Sequence, residues 1–163
     1  RALWWANRKM GFGAMGAISP DYLVQDGVIP RTRLPEVLAE IREISRKYNL
    51  RIANIFHAGD GNLHPLILYD ASVPGESERA SKAGSECLKV CADVGGSITG
   101  EHGVGIEKSA EMRFIFTDEE LEAQTNIREV FNPQDLLNPG KLFPQPGRCV
   151  EVKRANQDEV QLV

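Results

Sequence analysis

Ile52-Ala53-Asn54-Ile55-Phe56-His57-Ala58-Gly59-Asp60-Gly61-Asn62-Leu63-His64-Pro65-Leu66-Ile67-Leu68-Tyr69 is the stretch on which the reading of this chain turns. Apolar, β-branched and aromatic residues flank Ala58-Gly59-Asp60-Gly61-Asn62, which predicts two strands and a tight reversal. Gly and Asn supply the positive φ angles that such a turn needs. The strands are expected over residues 52–56 and 66–69, with His57 and His64 across the mouth of the turn. Neutral imidazole is a common ligand for zinc, manganese or iron. Two ring nitrogens on one rigid hairpin provide half of a tetrahedral or octahedral set.

Working outward, the 163 residues and 42% hydrophobic content suit one domain with one core of ordinary size. A net charge of -4 and the lack of any cluster of Lys and Arg argue against a nucleic-acid partner. No apolar run is long enough to span a bilayer, and the opening Arg1-Ala2-Leu3-Trp4-Trp5 lacks the apolar centre of a signal peptide, so a cytoplasmic location is expected. Cys87, Cys91 and Cys149 are an odd number without the density of a secreted scaffold, which points to reduced thiols.

Residues 35–48 carry Val37, Leu38, Ile41 and Ile44 at helical spacing, with Pro35 placed for a first turn. A second helix is expected over 76–94, with Ala80, Ala83, Cys87, Leu88 and Cys91 inward and Gly95-Gly96 as its stop. A third begins at Thr117, where Glu120 completes a capping-box pattern, and runs through Leu121, Ile127, Val130 and Phe131 to Asn132-Pro133. Arg113-Phe114-Ile115-Phe116 is too short to classify. The order helix, strand, strand, helix predicts an α+β fold, an antiparallel sheet with helices on one face. The opening segment, residues 1–30, is less periodic. It holds a Gly11-Phe12-Gly13-Ala14-Met15-Gly16 stretch and an extended run from Tyr22 to Pro30, and Trp4 and Trp5 are expected in a core or an interface.

The second chemical motif is Gly-rich: Gly95-Gly96-Ser97-Ile98-Thr99-Gly100-Glu101-His102-Gly103-Val104-Gly105. Such a loop permits close backbone approach and presents Glu101 and His102. Glu101 can complete a two-His, one-carboxylate set with His57 and His64, leaving positions open for water or substrate. His102 would then remain as a base, since imidazole titrates near neutral pH. The chain's three histidines all fall in two Gly-rich loops, which favours a site over scattered structural histidines. The spacing fits neither a phosphate-binding loop nor a dinucleotide fingerprint. Asp60-Gly61-Asn62 lacks the further carboxylates of a calcium loop. Cys87 and Cys91, one turn apart, read as small hydrophobes.

Three segments in order, His57–His64, Thr99-Gly100-Glu101-His102-Gly103-Val104-Gly105-Ile106-Glu107-Lys108 and the run from Phe131-Asn132-Pro133 to Asn138-Pro139-Gly140-Lys141-Leu142-Phe143-Pro144, carry a family likeness. They resemble the C-terminal domain of FAD-linked 2-hydroxy-acid oxidoreductases, of the glycolate oxidase flavoprotein subunit and D-lactate dehydrogenase type. The resemblance covers residues 3–144 and leaves 145–163 as a tail. It implies a ferredoxin-like cap domain, apparently truncated, in residues 1–144. It also implies a divalent metal (Zn, Mn or Fe) on His57, His64 and Glu101, His102 as general base, and Arg8 pairing with the substrate carboxylate as guanidinium does. Asn138 and Lys141 are implied to reach the flavin. Leu66 stands where some relatives carry Asn, so substrate preference does not transfer.

FAD would be bound mainly by a separate N-terminal domain, so the isolated chain is expected to be inert and to self-associate through uncovered edges and apolar surface. The expected partners are a small 2-hydroxy acid, that FAD-binding domain and an electron-accepting subunit or carrier. Two other readings of the same residues stay open: a flavin-independent metal-dependent hydrolase or lyase, and a non-catalytic metal-binding module.

Overall fold

The computed structural model describes residues 2–144. Cys149 and the tail therefore lie outside the described residues, as does the side chain of Trp4. In chain order the elements are helices α1 (Ala2–Lys9) and α2 (Gly11–Gly16), strands β1 (Asp21–Val24) and β2 (Gly27–Val28), helix α3 (Leu34–Tyr48), strands β3 (Arg51–His57) and β4 (Asn62–Tyr69), and helices α4 (Glu76–Asp93) and α5 (Asp118–Phe131). The Arg113–Phe116 run is helical at its start, inside a 3-10 turn over Ala110–Phe114.

Strand β4 is the middle of an antiparallel sheet, with β3 along one edge and β1 and β2 sharing the other. The hairpin forms where expected, but β4 begins earlier, so His64 lies inside the strand rather than at the turn. Asp60 and Gly61 both donate their N–H to the His57 carbonyl, at 3.0 and 3.1 Å, which closes the turn. Gly61 is required twice over. Its φ is +75°, and a Cβ there would meet the Ile29 carbonyl oxygen at 2.2 Å.

β1 and β2 share one register on β4: Val24 lies opposite Leu66 and Gly27 opposite Leu63. Gln25 and Asp26 therefore fall opposite Pro65 and His64. Gln25 donates to the Pro65 carbonyl at 3.0 Å, and proline has no N–H to return, so the ladder breaks there. Asp26 falls at the next position, a non-hydrogen-bonded pair with His64 whose backbone groups turn away from β4.

Alternation along the strands sorts the side chains onto two faces. Leu63 and Ile67 of β4, with Ile52 and Phe56 of β3, join Val37, Ile41 and Ile44 of α3 and Ala80, Ala83, Cys87 and Cys91 of α4 in the main core. The expected inward faces of both helices are confirmed. Asn49 ends α3 in the left-handed conformation. Helices α1 and α2 lie against the other face, where Gly11 sits on Ile55. A smaller core of Leu88, Ile98, Met112 and Leu121 lies between α4 and the segment leading into α5.

The capping box at Thr117 and Glu120 is present, and Leu121 is buried as expected. Ile127, Val130 and Phe131 differ: they are 62, 75 and 79% exposed, because no described element packs on that side of α5. Trp5 is also on the surface, at 52% exposure. Among the described residues no helix is long and apolar enough to cross a membrane.

Two outcomes test this packing. Gly61→Ala costs about 2 kcal/mol or more, from a strained φ plus a backbone clash, and is read as a lower thermal midpoint. Burial pushes the Cys87 and Cys91 thiols up to about 12 from an ordinary 9.0. The unfolded chain therefore loses these protons first, and stability falls as pH rises above 9.0. Iodoacetamide reacts with Cys87 and Cys91 only on unfolding, as peptide mapping across a urea series measures.

Candidate metal and acid-base site

His57 lies opposite Asn62 in the hairpin, and His64 lies opposite Ile55. The two histidines are thus diagonal neighbours on one face, the face turned away from α3 and α4. Their ring centroids are 5.7 Å apart and nearly perpendicular.

Glu101 must reach that face from the far end of α4, on the other side of the sheet. The chain does this by wrapping the β2 edge. Ser97 and Val28 exchange both backbone hydrogen bonds, at 2.8 and 2.9 Å, and a Cβ on Gly96 would strike the Val28 carbonyl at 1.9 Å, so only glycine passes there. Past this bridge, Gly100 rests against Asn62.

The loop delivers the carboxylate to the imidazoles. Oε1 of Glu101 lies 3.0 Å from His64 Nε2, 3.6 Å from His57 Nε2 and 3.9 Å from His102 Nε2. His64 and His102 have ring centroids 5.0 Å apart. His57, His64 and Glu101, drawn together from the sequence, converge here, and His102 stands beside them. Glu101 and His102 are exposed while His64 is buried, so the cluster opens on one side.

The donor chemistry fits a cation. His64 Nε2 is buried without a hydrogen-bond partner, although it faces the Glu101 oxygen, and a cation between the two would satisfy both. One atom each from Asp26, His64, Glu101 and His102 lie within 4.8 Å of one another. His57 is outside that mutual group, and Arg8 Nη2 sits 3.0 Å from its Nδ1 and 3.4 Å from its Nε2. Arg8 is thereby at the site, brought by α1.

Asp26 and Lys108 were not singled out from the sequence. Asp26 is wholly buried, and the available signal was a carboxylate inside the apolar run Tyr22 to Pro30. Burial alone would raise its pKa, but the N–H of His102, the Thr99 hydroxyl and the N–H groups of Gly100 and Glu101 outweigh it and hold the carboxyl well below the usual range. Lys108, also buried, lies 3.5 Å from Asp26 and donates to the Ile98 carbonyl at 3.3 Å.

Asn138 and Lys141 lie apart from the histidines, on the exposed loop after α5. Neither side chain forms a hydrogen bond or ion pair with the cluster among the described residues. Arg128 organises that loop, donating to the carbonyls of Leu137, Asn138 and Lys141 at 2.7, 2.8 and 3.0 Å and to Asp135 at 2.9 Å.

The family model for FAD linked oxidases, C-terminal domain, matches residues 1–142. The chain belongs to this family. It is 52% identical over 151 residues to glycolate oxidase subunit GlcD of Escherichia coli (strain K12), a match covering 93% of this chain and 30% of that protein. Over 141 residues it is 34% identical to GlcD of Bacillus subtilis (strain 168), covering 86% of this chain and 30% of the relative. Mitochondrial D-lactate dehydrogenase [cytochrome] of Arabidopsis thaliana is 30% identical over 142 residues, covering 86% and 25% respectively. The chain therefore spans 30% or less of the length of these relatives.

Burial pushes the His64 imidazole below its ordinary 6.5, against the opposing charge of Asp26. Burial thus favours the neutral ring, the form in which imidazole ligates a metal. The unfolded chain takes up this proton first, so stability is full above pH 6.5 and falls below it. The Asp26 contribution is full above 3.8 and lost on further acidification. Urea midpoints of the metal-free chain should follow both limbs, and His64→Gln should flatten the upper limb while leaving the lower.

Proposed function

We propose that this chain is the substrate- and metal-binding part of an FAD-dependent 2-hydroxy-acid oxidoreductase of the glycolate or D-lactate type, yielding a 2-oxo acid. The observation that carries the reading is the convergence of Glu101 Oε1 on the ring nitrogens of His64 and His57, at 3.0 and 3.6 Å. Family membership supplies the flavin. The unit spans residues 1–144, and a cytoplasmic location belongs to the same reading.

His57, His64 and Glu101 hold the divalent cation. When bound, that cation polarises the substrate hydroxyl, and FAD held by a neighbouring domain supplies the hydride acceptor. Arg8 binds the substrate carboxylate through a paired guanidinium contact, for which its exposed position beside His57 is suited. His102 accepts the hydroxyl proton on a ring nitrogen, being close to the cluster and solvent-exposed. Asn138 and Lys141 contact the flavin from the loop that Arg128 holds. Electrons pass onward to an acceptor subunit or carrier. The exposed apolar residues of α1 and α5 face the flavin-binding portion, and in its absence they drive self-association of the chain.

Calorimetric titration with Zn²⁺ or Mn²⁺ should give one site per chain, and His57→Ala and Glu101→Ala should each weaken it about 100-fold or more. Unchanged binding in both variants would remove the ligand set. Joined to the flavin domain of a relative, the chain should support 2-hydroxy-acid oxidation. There His102→Ala lowers kcat about 10²- to 10⁴-fold, while Arg8→Ala chiefly raises KM. Metal-dependent turnover by the isolated chain, without flavin, would overturn the reading in favour of a hydrolase or lyase.

A further inference from the structure

We infer that Asp26 is a positioning residue whose buried carboxylate gathers the backbone of the Gly100 to His102 loop and so holds Glu101 and His102 against His64. Its Oδ2 accepts from the Thr99 hydroxyl at 2.8 Å and from the N–H groups of Gly100, Glu101 and His102 at 2.9, 3.1 and 2.9 Å. Thr99 in turn accepts the Gly103 N–H at 2.8 Å, which extends the same network one residue further. Lys108 balances the buried charge from 3.5 Å.

Gly100 rests against Val28 and Asn62, and Ser97 bonds Thr99, but Glu101, His102 and Gly103 are exposed and are held chiefly by polar contacts. Three successive N–H groups turned inward make a concavity for an anion, and here the anion is an internal side chain. A carboxylate offers acceptors only, and the Glu101 N–H is shared between its two oxygens, lying 3.3 Å from Oδ1. Oδ2 is thereby saturated. Oδ1 faces His64 Nε2 at 3.6 Å, so one side chain touches both halves of the site, the hairpin and the loop.

Two features explain why this position suits the task. The alternation of the antiparallel ladder turns the Asp26 backbone away from β4, as it does that of Val28, and the shared register keeps its side chain beside His64. Asparagine has the same shape but offers one neutral acceptor oxygen in place of a charged carboxylate, so it holds the N–H donors more weakly. The metal-binding consequence rests on the function proposed above, whereas the loop anchoring does not.

The test uses Asp26→Asn in the full 163-residue chain, read by amide hydrogen exchange and by Zn²⁺ titration. The Gly100, Glu101 and His102 amides should exchange about tenfold faster or more, while β3 and β4 amides keep their protection. Zn²⁺ affinity should fall about 10- to 100-fold, as for partners that orient metal ligands. In a Glu101→Gln background the same substitution should cost much less, because a ligand it orients is already gone. Unchanged exchange at 100–102, affinity within about twofold of the parent, or additive losses in the cycle would overturn the inference. A parent chain that takes up no Zn²⁺ would sink the proposed function, and the exchange result would still decide the anchoring. Should Asp26→Asn fail to fold, Thr99→Val removes one bond of the ring. It should raise exchange at the same amides, and no change there would overturn the inference.

Discussion

The pairing of β3 with β4 in one register carries the whole site. His57 opposite Asn62 and Ile55 opposite His64 put both imidazoles on a single face, and side chains alternate with a period of two. A slip of β4 by one residue would turn the His64 ring toward α3 and α4, bring Leu63 and Ile67 out to the other side and leave the two imidazoles on opposite faces. The turn that fixes this register is held by two hydrogen bonds onto the His57 carbonyl and by Gly61 pressed against Ile29. Register and ligand placement are therefore one constraint, enforced by the burial of Leu63 and Ile67 in the main core.

On that frame the second half of the site is held by polar contacts. Enclosing a carboxylate is costly unless its acceptors are filled and its charge is matched. Asp26 meets both conditions through the loop amides and Lys108. The same residues that remove the burial penalty also shape the loop, so the energetic solution and the site geometry coincide. An interior proline in a middle strand is ordinarily a defect; here it leaves out only the return bond to Gln25.

What could be read from the sequence follows the range of the interactions. The hairpin, α3, α4 and the Thr117 capping box are written in local signals: turn residues, helical spacing and a hydroxyl three residues before a glutamate. The convergence of Glu101 with the histidines came from motif order and family likeness. Asp26 escaped notice because its hydrogen-bond partners in the loop lie more than seventy positions away. The Arg8 contact with His57 joins residues 49 positions apart and was inferred only as a substrate role. Ile127, Val130 and Phe131 satisfy a helical pattern, yet spacing alone does not say whether a partner surface exists within the chain.

Past the site, a single bond links two loops of different origin. The Leu142 N–H donates to the Gly105 carbonyl at 2.8 Å, and Arg128 ties the intervening backbone from Leu137 to Lys141 onto α5. The segment that follows the histidine motif is consequently buttressed by the segment that follows α5. A displacement that begins at either loop meets the other through this hydrogen bond, although the two lie far apart along the chain.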